Sequence, residues 1–169
     1  MTGLVHLSAL AAFIGYSFLS FALVQTLRGK PIISMRLNRL LGMGVLLVHG
    51  INVHQQVFRP DGVQLGVVAA AALFAFVSTS TATVMSWFHR MNALLAPAYV
   101  FAAIAIGFST FAADTLPPMT HLSAGIVAHI VLSITAYTLV TLAGSQAILV
   151  YIQNYHLKHR HLRHLLQFL

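Results

Sequence analysis

The chain has no cysteine, only two acidic residues (Asp61 and Asp114) and a single tryptophan, Trp87, among 169 residues. Without thiols there are no disulfides, thiolate metal sites or iron–sulfur clusters, and haem cannot be attached covalently through a CxxCH motif. Two acids so far apart in the chain leave little from which to build a carboxylate pair for general acid–base catalysis. Charge of either sign is scarce, 7% of residues against 59% apolar, and the mean hydropathy is +0.86. No soluble domain of this size could hide so much apolar surface, so one integral membrane domain is expected. The net charge of +7 comes from nine Lys and Arg placed at the ends of apolar runs rather than in one patch. Membrane topology explains that distribution better than nucleic acid does.

Five apolar stretches lie over about residues 3–27, 40–58, 63–88, 93–113 and 121–153, followed by a basic tail over 154–169. The first lacks a basic leader and a small-residue cleavage site, so it reads as a retained helix. The second, with Gly42, Gly44, His49, Gly50, Asn52 and His54, is the most polar. Arg59-Pro60-Asp61-Gly62 has turn chemistry, and His89, Arg90 and Asn92 mark a tight loop. Asp114 to Thr120, with Pro117-Pro118, reads as an extended outer loop. Arg28, Lys30, Arg36, Arg39, Arg90, Lys158, Arg160 and Arg163 fall on one side of this arrangement and only Arg59 on the other. The positive-inside rule then puts the amino terminus outside and the carboxyl terminus in the cytoplasm. Backbone groups within a bilayer must bond internally, so the predicted fold is all-α, a polytopic membrane bundle of about five transmembrane helices.

The fifth stretch carries the most information. It has no charge between Asp114 and Lys158, yet it contains His129 about eight residues in, roughly 12 Å below its first turn. An ionisable group at that depth should face other helices and have a partner. Gly125, His129, Ser133, Ala136, Tyr137, Val140 and Gly144 recur at steps of three and four and form one small or polar stripe. Ile126, Ile130, Ile134 and Leu139 lie off it and suit lipid. Such a stripe predicts close approach of a neighbouring helix or of a flat ligand.

His6, His49, His54, His121 and His129 all map to the outer half of the bundle. Imidazoles without thiolates or acids suit the axial positions of a haem iron; zinc would need three close ligands, and proton relay is a further use of histidines near neutral pH. The plainer alternatives are an imidazole bonded to a carbonyl or serine across helices, and a small-residue stripe that only packs. The histidine-rich tail around Lys158, Arg160 and Arg163 reads as a juxtamembrane segment attracted to anionic lipid.

His129-Ile130, Tyr137 eight residues on, then Leu142-Ala143, Gln146, Tyr151-Ile152-Gln153 and Leu157-Lys158 form a pattern that resembles the cytochrome c assembly proteins of the CcsA/CcmC type. Within that superfamily it is most similar to the smaller HemX/YpjD-like inner-membrane proteins. Val48-His49-Gly50 resembles an earlier membrane histidine of the family, and the resemblance is carried chiefly by residues 120–158. It implies a non-catalytic haem-handling protein of the bacterial inner membrane, binding haem b for presentation to apocytochrome c or to another assembly subunit. Carried over residue by residue, it makes His129 and His49 the iron ligands; His54 is the reserve ligand, and Tyr137 and Gly125 are expected to line the site. The family's tryptophan-rich loop is missing, since Trp87 falls on the cytoplasmic side. The resemblance implies that the chain corresponds to the front portion of the family fold, with a second copy as one possible source of the rest. The competing expectation is a cofactor-free structural or regulatory subunit that docks a partner protein.

Overall fold

The computed structural model describes residues 2–88, 92–112 and 117–166. The His89–Arg90 loop and Asp114 lie outside the described residues, as do the side chains of the tail beyond Lys158. Five helices follow one another: α1 (Thr2–Leu27), α2 (Met35–Val57), α3 (Val67–Phe88), α4 (Asn92–Phe111) and α5 (Ala124–Leu166). A minimal hairpin, β1 (Phe58–Arg59) and β2 (Gly62–Val63), joins α2 to α3 with Pro60-Asp61 at its tip. α1, α3, α4 and the Ala124–Tyr155 part of α5 are long and apolar enough to cross a membrane. Among the described residues α2 is long enough too, but its polar groups keep it out of that set.

Local chemistry sets the boundaries. α1 ends where Gly29 takes φ +77°, letting the Lys30 amide reach back to the Gln25 carbonyl at 2.9 Å before Pro31 stops the helix. Ser34 caps α2 by accepting from the Leu37 amide at 3.2 Å. At the opposite end, Val63 and Met119 exchange backbone hydrogen bonds of 3.0 and 2.9 Å, which ties the start of α5 to the hairpin. Gly62, at φ +139°, lets the Met119 carbonyl pass where a Cβ would collide with it.

Four helices, α1 to α4, form the body of the molecule. Alanines such as Ala12, Ala22, Ala72, Ala75 and Ala102 are fully buried and let the backbones approach closely. Between them sit Tyr16, Leu19, Leu95, Tyr99 and Ile106, with Gly15 against Val45 where a side chain would overlap.

α5 departs from expectation in two ways. It continues as helix to Leu166, so the stretch read as a separate tail from residue 154 is helical, and its basic residues ride on a continuous rod. Its packing face is also not the small-residue stripe. Thr138 is its only buried residue among those described, flanked by the half-buried Ile130, Ile134 and Leu142. Gly125, Ala136, Tyr137, Val140 and Gly144 point outward, and nothing lies within 4 Å of where a Gly144 side chain would be. The reason is steric and polar together. The Thr138 hydroxyl meets Ser78 of α3 at 3.3 Å, and isoleucines one turn above fill the ridge beside it. Only 6% of the apolar window of α5 is buried, against 39 to 50% in the other three. Thr138→Val should therefore loosen α5 selectively, at about 0.6 kcal/mol in lipid. Hydrogen exchange confined to α5 would register it, and equal acceleration in all helices would contradict this account.

Candidate functional site

The predicted site residues separate into three environments. His129 stands on α5 at the rim of a groove of about 580 Å³ between α3 and α5. Ala70, Ala71 and Phe74 make its α3 wall, with Leu65 from the segment just before that helix, and Ile130, Ser133, Ile134, Tyr137 and Thr141 make its α5 wall. The lining is overwhelmingly apolar, with the imidazole, two hydroxyls and a phenol as its polar groups. His129 and Tyr137 are exposed here, where burial against a neighbouring helix was expected. Gly125 lies one turn before His129 and is exposed, outside the groove.

His49 occupies the opposite situation, fully buried in the core of the four-helix body. Its Nδ1 shares a hydrogen bond with the Tyr16 hydroxyl of α1 at 3.1 Å. Its ring stands edge-on to Tyr16 and to Phe76 of α3, and Tyr99 of α4 lies against Tyr16 with ring centres 5.4 Å apart. α3 separates the two histidines, presenting Ala72 and Phe76 to His49 and Ala70, Ala71 and Phe74 to His129. They line no common cavity, so their joint use as two ligands of one iron within a single chain has no support from the geometry.

His54 is exposed, stacked over Phe58 with centres 5.2 Å apart, and lines a shallow groove with Gly50, Ile51 and Phe76. His6 and His121 are also exposed, and no three His, Cys, Asp or Glu side chains converge among the described residues. A second groove against α5, about 780 Å³, is lined by Met85, Leu94, Leu142 and Gln146 and contains no imidazole.

Sequence reasoning passed over what surrounds His49. Asn38, Gly42, His49, Asn52 and Gln56 fall on one face of α2, and all but the half-buried Gln56 are buried. Asn52 donates to the Val5 carbonyl at 3.0 Å and to Ser8 at 3.1 Å, and Gln56 donates to Asn52 at 2.6 Å. Asn38 donates to the Leu19 carbonyl at 3.2 Å. At that same end Arg39 donates to Asn92 at 2.6 Å and lies 5.7 Å from the Trp87 ring centre. The available signal was the spacing of four, seven, three and four through 38, 42, 49, 52 and 56, which keeps all five on one helix face. It marks a polar seam rather than scattered exceptions.

No family model matches the chain, and neither a curated protein nor a solved structure matches it.

Proposed function

We propose that this is a haem-handling membrane protein related to cytochrome c assembly, in which the α3–α5 groove receives the macrocycle and His129 supplies the iron ligand. The observation that carries this reading is the exposed imidazole on the edge of an apolar slot of about 580 Å³. That volume lies inside the range of roughly 300–1,000 Å³ typical of small-molecule sites. An imidazole nitrogen free of thiolate or carboxylate neighbours is a normal axial donor, and an ionisable side chain on a lipid-facing helix calls for a function. The residues fit the group in chemistry: Ala70, Ala71 and Phe74 give an apolar wall, and Ser133, Tyr137 and Thr141 give hydroxyls to orient a polar edge. Bound haem would supply a redox-active iron; the chain holds it, orients it and shields one face from water. His49 serves as a structural core residue in this scheme, and His54 is not needed.

The proposed setting is a bacterial inner membrane crossed five times, α2 included, with the amino terminus outside. Eight Lys and Arg on one side against Arg59 on the other support that orientation. The burial of Asn38, Gly42, His49 and Asn52 on the polar face of α2 supports its counting as a span.

Purification in detergent from haem-supplied cells should give a Soret band that His129→Ala removes. A colourless wild-type protein, or a band that survives the substitution, would sink the assignment. The bareness of α5 favours a second reading, a cofactor-free subunit whose α5 docks a partner. A colourless preparation carrying a stoichiometric partner protein would select it.

A further inference from the structure

The second groove along α5 has no part in the haem-handling reading. It opens between α5 on one side and α3 and α4 on the other, toward the end of the bundle where α3 finishes and α4 begins. The buried Ala82 and Leu94 form its floor, Met85 of α3 one wall, and Leu142, Ala143 and Ala147 of α5 the other. Its volume is about 780 Å³.

Length and lining narrow what can fill it. On α5 the groove runs from Leu139 to Val150, roughly 16 Å at the rise of a helix. One leaflet contributes about 15 Å of hydrocarbon, half of a core of about 30 Å. The Thr81 hydroxyl is spent on the Val77 carbonyl at 2.9 Å, which leaves Gln146 as the polar group of the lining. An extended peptide would find almost nothing there for its amides and carbonyls. An acyl chain asks for no hydrogen bond, and the alanines leave room for its methylenes.

Charge selects the headgroup. Arg28, Lys30, Arg36, Arg39 and Lys158 lie at the end of the bundle toward which the groove runs. The two acidic residues of the sequence, Asp61 and Asp114, fall in the α2–α3 and α4–α5 connections at the other end. Lys158 is exposed on α5 and follows Val150 by roughly 12 Å along the axis. Helical side chains lean back over the preceding turn, which carries its ammonium toward the headgroup layer, about 5–8 Å thick beyond the hydrocarbon. The exposed Tyr151 and Tyr155 stand between the groove and Lys158, where aromatic residues mark a membrane interface.

We propose that this groove holds an acyl chain of one anionic phospholipid, whose phosphate is paired by Lys158 and the basic end of α5. The lipid fills the cleft left by the sparse packing of α5, of whose apolar window only 6% is buried, and wedges that helix against the body. The site shares no residue with the His129 groove and does not depend on haem.

Native mass spectrometry of the detergent-purified chain tests this, with phosphatidylglycerol or phosphatidylcholine of identical acyl chains added. One phosphatidylglycerol should stay on each chain, at least fivefold in preference to phosphatidylcholine. Ala143→Phe fills the groove from an exposed position and should lower phosphatidylglycerol retention at least tenfold. Val140→Phe, exposed and outside the lining, should leave it unchanged. Lys158→Gln should cut the preference about fivefold, the usual worth of one basic residue at an anionic surface. A wild-type circular dichroism spectrum and elution volume certify each fold, and Ala147→Phe is a second groove-filling change should Ala143→Phe misfold. No retained lipid, equal retention of the two lipids by wild type, or retention that a folded groove-filling variant leaves intact would each overturn the proposal. So would equal losses in Val140→Phe and Ala143→Phe. A failed Soret test leaves this result untouched, and loss of the lipid leaves the assignment of His129 untouched.

Discussion

Replacing Gly42 with alanine is expected to destabilise the protein by about 1–3 kcal/mol, the usual cost of overpacking a closed core. A methyl at Gly42 would overlap the Tyr99 hydroxyl and lie 3.2 Å from Tyr99 Cζ. The phenol has nowhere to retreat, because it is fully buried and stacked on Tyr16. The conflict is largely with one oxygen, so Tyr99→Phe should relieve much of it. In a double-mutant cycle read from unfolding midpoints in mixed micelles, the two changes should couple by about 0.5–3 kcal/mol. Strict additivity would show that Gly42 matters for some reason other than Tyr99.

His49→Ala and His129→Ala should have opposite consequences. The first empties a buried site, removes the partner of the Tyr16 hydroxyl and leaves Phe76 without the ring it abuts. Cavity formation and an orphaned hydroxyl together should cost about 2–4 kcal/mol. On the haem-handling proposal, absorbance per folded molecule should be unchanged, since α3 stands between His49 and the groove. If the haem-handling proposal holds, His129→Ala should abolish the Soret band, and in either case it should leave the unfolding midpoint near wild type, because the ring is exposed and packs in no core. If His49→Ala instead bleaches the protein while it remains folded, the separation of the two histidines by α3 is wrong.

These expectations differ from those the sequence alone would support, and particular residues show why. The apolar runs, the punctuation at Gly29-Lys30-Pro31 and Pro60-Asp61, and the polar character of α2 were all legible. Each is a local property: a long uncharged run, a left-handed glycine, a turn dipeptide. The direction of α5 was not. Its stripe of Gly125, Ala136, Val140 and Gly144 and its ridge of Ile130, Ile134 and Leu142 are both periodic at three and four. In lipid both small and branched apolar faces are acceptable surfaces, so periodicity could not choose between them. The Ser78–Thr138 hydrogen bond and the shape of α3 favoured the ridge.

The histidines show the same division. Membrane depth follows from counting residues along a helix, and it put His49, His54 and His129 in one half of the bilayer. Depth does not specify azimuth. The turn of α2 sends His49 inward to Tyr16 and leaves His54, five residues on, stacked on Phe58 at the surface. Nothing in the spacing of Tyr16, His49 and Tyr99 announces that three helices bring them together.

From its sequence alone this chain is bound to be helical and too apolar for water, because scarce charge and long uninterrupted runs leave the backbone no other way to satisfy itself in lipid. Which imidazole is sealed inside and which stands beside an open slot was decided only by tertiary packing. Rotation about each helix axis is set by side chains from different helices meeting, and no single segment contains that information.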